Sequence, residues 1–216
     1  SFPDKSRNLI KAVLRDRQVA VDDRVVTRFD FPLQEGQQVR VRWEKIPFNR
    51  LYHGIQVVFE DHDLIVIDKP DGLLTVATET EKRQTAYSIL SDYVKERDAA
   101  ARIFVVHRID RETSGLLLFA KNEETHKYLS KLFEERQTVK IYLGLVNGCP
   151  DKKEDTIHAP IAEHPAQNGT MIIHRKGKEA ITDYRLQNDF GIFSLIEFTI
   201  HTGRTHQIRV HMKDIG

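Results

Sequence analysis

The sequence has one cysteine, Cys149, in 216 residues. That excludes an internal disulfide and a cysteine-built zinc site. Long apolar runs are missing too: none approaches the length needed to span a bilayer, and no signal peptide opens the sequence. These absences point to a soluble protein and fit a reducing cytoplasm. Charge of one sign is also not in excess. Lys and Arg number 33 against 32 Asp and Glu, a net of +1, so bulk charge does not announce a polyanionic partner. What is present is ordinary for a globular chain, with 40% hydrophobic and 30% charged residues. The length suits one ample core, or one domain with a small appendage.

The distribution of charge is more informative than its sum. Residues 1–45 carry ten Lys/Arg against seven Asp/Glu, a net of +3, whereas the remainder carries 23 against 25, a net of −2. Within this basic piece, Ser6 can cap a helix over Arg7 to Arg15 with Leu9, Ile10, Val13 and Leu14 on one face. Arg7, Lys11 and Arg15 recur every four residues and form a basic stripe on another face. Val19–Val21, the turn Asp22-Asp23 and Val25-Val26 predict a hairpin. A turn at Leu33–Gly36 and an alternating strand at Val39–Arg42 follow. Residues 46–54, with Pro47, Asn49 and Gly54, suit a linker.

A second domain is expected over 55–216. Strands at Ile55–Glu60 and Leu64–Asp68 meet at Asp61-His62-Asp63, and Lys69-Pro70-Asp71-Gly72 stops the second sharply. Ala86, Ile89, Leu90, Tyr93 and Val94 mark an amphipathic helix.

The chain is organised around what comes next. Ile103–Val106 is an apolar strand, and Leu116–Ala120 is a second apolar run short enough for a buried strand. Between them, residues 107–115 hold two arginines, two carboxylates, a histidine, two hydroxyls and one glycine. A polar loop held at both ends by strands is a rigid mount for a reactive group. Asp110 is the candidate, although a lone loop aspartate is ordinarily a turn former or a solvated charge. The arrangement is not a protein-kinase catalytic loop, whose Asp follows Arg directly and which needs a glycine-rich loop absent here.

Beyond it, Asn122 can cap a helix with Glu123 and Glu124 in its first turn and Tyr128, Leu129, Leu132 and Phe133 on its buried side. Residues 139–146 alternate, which places Tyr142 across the sheet from the row Val139, Ile141, Leu143 and Leu145. Asn147-Gly148 and Phe190-Gly191 are turns, and Pro150, Pro160, Pro165 and Gly169 break residues 150–177 into short strands and loops. Ile196, Phe198 and Ile200 alternate along a strand that leads to Gly203, a tight-turn residue. A helix with Ile208, Met212 and Ile215 inward follows. His201, His206 and His211 recur every five residues. That spacing does not align them on one helical face, so no metal site is assigned.

Three strings carry a resemblance. His107-Arg108-x-Asp110-x-x-Thr113-Ser114-Gly115-Leu116-Leu117-Leu118-x-Ala120-Lys121, then Lys140-x-Tyr142, then Gly203-Arg204-Thr205-His206-Gln207-Ile208-Arg209 stand in the order of the motifs of the RluA-type pseudouridine synthases. Lys69-Pro70 matches a further family position beside the cleft. The pattern at Ser6-Arg7, Val19-x-Val21-Asp22 and Leu33-x-x-Gly36-x-x-Val39-x-Val41 resembles the S4 RNA-binding domain, whose basic helix face lies on phosphates. The implied fold is α+β: a catalytic domain with a mixed or antiparallel sheet, preceded by a small α/β module. Against the family pattern the module starts after its usual first helix, and the catalytic domain stops short of a further strand and glycine turn.

The resemblance implies a uridine-to-pseudouridine isomerase acting on structured RNA, ribosomal by analogy with S4-bearing members and transfer RNA as the alternative. The N1–C1′ bond breaks, the uracil turns over, and C5 joins C1′, with no oxidation and no group carried away, so no cofactor or metal is called for. Asp110 takes the place of the nucleophile or ribose base. Arg204 pairs with it; such a pair about 4 Å apart is worth roughly 4 kcal/mol at an effective dielectric of about 20, before desolvation. Tyr142 stacks on the base, Ile208 packs at its pocket, and Lys69, His107 and Arg108 support the cleft. A non-catalytic RNA-binding protein and a base-directed glycosylase or transglycosylase are the rival readings. Oligomeric state is not legible.

Overall fold

The computed structural model describes residues 5–15, 18–22, 24–41, 50–78 and 84–216. The chain forms two compact units, Ser1–Ser130 and Lys131–Gly216, a division that differs from the boundaries expected at 45/46 and 54/55. The expected boundary at 45/46, with residues 46–49 of the linker, lies outside the described residues, as do Asp23 and Arg42. Residues 50–52, expected as linker, form a strand instead.

In the first unit, α1 (Arg7–Arg15) begins where the Ser6 hydroxyl accepts from the Leu9 N–H at 3.2 Å. Val13 is buried, Ile10 and Leu14 half-buried and Leu9 exposed, so the apolar face is narrower than expected. Arg7, Lys11 and Arg15 are all exposed. Strands β1 (Val19–Val21), β2 (Arg24–Val25) and β3 (Val39–Val41) make an antiparallel sheet with β1 central. The Asp22 carboxylate ties its turn to β3's approach, accepting from the Gln38 N–H and the Gln37 amide, each at 2.9 Å.

The larger part of this unit is an antiparallel sheet of five strands in the order β4-β5-β6-β8-β7: β4 (Arg50–Tyr52), β5 (Ile55–Glu60), β6 (Leu64–Lys69), β7 (Phe104–Val105) and β8 (Gly115–Ala120). One face is covered by α2 (Ala86–Lys95). Ile55, Val57, Ile65, Ile67, Leu117 and Phe119 pack there with Ala86, Leu90, Tyr93 and Val94. The run Leu116–Ala120 is therefore not buried on both faces: Leu117 and Phe119 point inward while Leu116 is 67% exposed. The helix starts cleanly because every early N–H has a partner. Ala86 and Tyr87 donate to the carbonyls of Leu74 and Thr75, and Thr85 and Ser88 form a capping box. At the far end of the sheet Glu60 accepts from Tyr93, Lys121 and Arg97. Burial pushes the Glu60 carboxyl up, but those hydrogen bonds and charges outweigh it and hold it below its ordinary value.

Helix α3 (Glu123–Glu134) is capped by Asn122, whose side-chain oxygen accepts from the Thr125 N–H at 2.8 Å. Leu129, Leu132 and Phe133 are half-buried, but Tyr128, expected inward, is 61% exposed.

The second unit is built on an antiparallel sheet in the order β10-β13-β14-β9, with β9 (Ile141–Asn147), β10 (Glu154–His158), β13 (Ile181–Asp189) and β14 (Phe193–Ile200). A two-stranded arm, β11 (Ile161–Glu163) and β12 (Met171–Ile173), leaves it. Helix α4 (Gln207–Asp214) contributes Ile208 and Met212 to the core of Ile157, Tyr184, Ile196 and Phe198. Ile215, expected on that face, is the exposed cap residue after the helix. Along β9 and the residues that lead into it, the row Val139, Ile141, Leu143 and Leu145 is the exposed one, while Tyr142 and Val146 face the core. Gly144 explains the choice: a Cβ there would stand 3.1 Å from the Phe198 ring, which occupies the space above it.

Close approach rather than backbone freedom accounts for Gly177. A Cβ would lie 2.5 Å from the Ile161 carbonyl carbon and 2.8 Å from the His174 oxygen, both backbone atoms that cannot swing aside. Gly203 has nothing within 4 Å and no positive φ, and the left-handed residue of its turn is His206 at φ 55°. Gly177→Ala is expected to lower stability by roughly 2 kcal/mol. Gly203→Ala should change it by less than about 0.5 kcal/mol. Thermal unfolding followed by circular dichroism measures both, and equal midpoints for the two would refute the packing account.

Candidate active site

The loop at 106–114 leaves β7 and returns as β8, its sheet neighbour. Gly115 makes the return at φ 123°, a conformation side chains rarely adopt. A backbone that leaves a sheet must find other partners for its polar groups, and here Ile109 and Arg111 find theirs in one segment, residues 69–75. The Lys69 ammonium is fully buried and donates to the carbonyls of Pro70 at 2.7 Å, Leu73 at 2.7 Å and Arg111 at 3.2 Å. The Thr75 hydroxyl donates to the Ile109 carbonyl at 2.9 Å and accepts from the Ile109 N–H at 3.3 Å. The loop closes on itself where the Thr113 N–H donates to the Asp110 carbonyl at 3.1 Å.

Asp110 sits between these tethers and is half-buried. Burial pushes the Lys69 ammonium below its ordinary value, and the negative charges of Asp71, Glu112 and Asp110 oppose that shift. Lys69 thus acts as a charged staple under the loop, within the field of Asp110. His107 is a tether as well: its Nε2 accepts from the Leu118 N–H at 3.1 Å, so that nitrogen carries no proton. Arg108 is exposed.

The second unit holds the other expected residues. Tyr142 is half-buried on the inward side of β9, opposite Phe198, and packs with Ile208 against one core. Arg204 is half-buried, with its Nε donating to the Glu179 carbonyl at 2.8 Å. Glu179's carboxyl is held below its usual range chiefly by Arg136, with the charges of His158 and Arg204 adding to it.

One residue not singled out in the motif organises this region. The Gln207 side chain, 3% exposed, uses its amide in full. Its oxygen accepts from the Thr202 hydroxyl at 2.8 Å and the Arg204 N–H at 3.0 Å. Its nitrogen donates to the Ile181 carbonyl at 3.0 Å and the Thr182 hydroxyl at 2.9 Å. Gln207 therefore fixes the turn that carries Arg204. Its place inside the third motif was the available signal. Thr75 had none, because an isolated threonine in a loop gives no pattern.

The three histidines do not converge on one another's partners. His201 meets the Asp183 carboxylate at 2.6 Å. His211 is fully buried between the Thr182 hydroxyl and the Ala159 carbonyl, each at 3.0 Å, and burial lowers its pKa. His206 occupies the left-handed position before α4. Among the described residues, no group of three or more His, Cys, Asp or Glu is placed to hold a metal.

Residues 63–214 match the sequence profile of the family described as RNA pseudouridylate synthase. An uncharacterized RNA pseudouridine synthase of Aquifex aeolicus is 34% identical, over 100% of this chain and 71% of that protein. The ribosomal large subunit pseudouridine synthase D of Haemophilus ducreyi is 31% identical, over 100% of this chain and 67% of its own length. The solved structure of human RNA pseudouridylate synthase domain containing 4 superposes with a TM-score of 0.62 at 26% identity, covering 73% of this chain and 63% of that one. The chain thus spans about two thirds of the length of the proteins it matches.

Replacing Lys69 would take the donor from three carbonyls at the base of the loop. Lys69→Met, similar in length but without donors, is expected to cost roughly 3 kcal/mol or more. Chemical denaturation measures it; a midpoint equal to that of the unsubstituted protein would mean that the carbonyls are satisfied without the ammonium.

Proposed function

The chain belongs to the RNA pseudouridylate synthase family, and from that premise we propose that it isomerises particular uridines of structured RNA to pseudouridine through Asp110. The observation that carries the assignment is the mount of that carboxylate. Peptide groups on either side of Asp110 are tethered, and a group held in one orientation needs no reorganisation when the sugar and base arrive.

The reaction needs the target nucleoside out of its stack. Asp110 then acts on the nucleoside, as nucleophile or as base at the ribose, while the N1–C1′ bond breaks. The freed uracil rotates and C5 bonds to C1′. The proton on C5 leaves, N1 gains one, and the atoms of the nucleoside are conserved, so the protein is an isomerase that needs no cofactor. Arg204 takes the role of counter-charge to the catalytic carboxylate that its place in the third motif implies; its Nε is anchored on the Glu179 carbonyl, which leaves the outer nitrogens of the guanidinium for that role. Tyr142 stacks on the base and Ile208 lines its pocket, a pairing supported by their packing on one core. Lys69 and His107 hold the loop, and Arg108, exposed beside Asp110, faces RNA.

Large-subunit ribosomal RNA is the substrate class favoured by the name of the Haemophilus ducreyi relative, with transfer RNA the alternative. The action is cytoplasmic, where such RNA is made and modified. Residues 1–45 serve as an S4-like RNA-binding module. The exposure of Arg7, Lys11 and Arg15 along one helix supports phosphate contact by that face.

Two experiments test this reading. With RNA carrying tritium at uracil C5, the protein should release label and Asp110→Asn should not, while affinity for the RNA is kept. Turnover by Asp110→Asn would refute the role of the carboxylate. Loss of free base would mark a glycosylase, and intact RNA a binding protein. Separately, Arg7→Glu, Lys11→Glu and Arg15→Glu together should weaken RNA binding and flatten its salt dependence by roughly two to three counterions. An unchanged slope in filter binding across salt concentrations would move the electrostatic contact elsewhere.

A further inference from the structure

Thr75 is 3% exposed, and its one hydroxyl serves both backbone groups of Ile109, the residue before Asp110. An adjacent strand would ordinarily satisfy an N–H and C=O of one residue; here a single side chain does so. Thr75 is itself held from the other side. Its own carbonyl accepts from the Tyr87 N–H at 3.1 Å, and the preceding carbonyl, of Leu74, accepts from Ala86 at 2.8 Å. Those are the first two N–H groups of α2, whose Ala86, Leu90 and Tyr93 are fully buried. A continuous path of hydrogen bonds therefore runs from a rigid helix start, through Thr75, to the peptide plane that precedes Asp110.

That plane matters because a peptide group is rigid. Fixing the Ile109 carbonyl fixes the Asp110 N–H and Cα with it. The plane that follows Asp110 is fixed by Thr113, and the next by Lys69. With both flanking planes set, φ and ψ at Asp110 have little freedom, and the carboxylate is left with its own side-chain torsions only. Resting on the isomerase reading above, we infer that Thr75 is a positioning residue for the reaction, aiming Asp110 at the nucleoside through Ile109. It touches neither base nor sugar.

The test compares the unsubstituted protein with Thr75→Val, which keeps the shape and loses the hydroxyl, and Thr75→Ser, which keeps the hydroxyl. Tritium release from large-subunit ribosomal RNA labelled at uracil C5 gives the single-turnover rate, filter binding gives affinity, and amide exchange reads the Ile109 N–H. Thr75→Val should react roughly tenfold to a hundredfold more slowly, as expected for a misaimed group, with affinity within about twofold. Exchange at Ile109 should quicken by about tenfold or more as its acceptor is lost. Thr75→Ser should recover the rate. If Thr75→Val exposes Ile109 yet reacts at the original rate, or if Thr75→Ser is as slow as Thr75→Val, the inference is overturned. Should Thr75→Val not fold, Thr75→Cys, a small and weakly bonding replacement, takes its place with the same expectations. If the unsubstituted protein releases no label, the isomerase reading fails by itself; equal Ile109 exchange in the protein and Thr75→Val would then refute the tether separately.

Discussion

A buried ammonium and a buried hydroxyl, both from residues 69–75, supply hydrogen bonds to a loop that has no sheet neighbour of its own. The setting of Asp110 depends on them. Without Lys69 and Thr75 the carbonyls of Ile109 and Arg111 would need water, and a loop bonded to water has many arrangements of similar energy. The ammonium is costly to bury, which its lowered pKa records, and three carbonyls in fixed positions offset that cost. The arrangement favours one loop geometry over many.

The second unit solves the same problem with a neutral group. Gln207 has two donors and two acceptor positions, and all four are used between β13, the Thr202 hydroxyl and the Arg204 N–H. His211 does likewise between Thr182 and Ala159. Such fully satisfied polar side chains select one conformation of a turn, because any other leaves a buried group unpaired. In both units the expected catalytic residues sit beside these anchors.

Much of the fold was legible from residue spacing. The helices at 7–15, 86–95 and 123–134 and the strands around them lie where capping residues and apolar periodicity predict. Where spacing fell short, the reason was tertiary. Leu116–Ala120 is uniformly apolar, yet the sheet has its helix on one face, so Leu116 is left exposed. Residues 139–146 alternate plainly, but alternation defines two faces without saying which is inward; Phe198 over Gly144 decides it. Tyr128 and Ile215 continue apolar stripes past the place where a neighbour covers them.

The sequence by itself determined the family, the order of the motifs and which carboxylate is the candidate, since these reside in which residues stand at which spacing. Only the tertiary structure decided what holds that carboxylate still. Thr75 is 34 positions from Ile109 and Gln207 is 25 from Thr182. A hydrogen bond between such residues leaves no local pattern, because it depends on where the backbone has brought each group and not on what lies next to it in the chain.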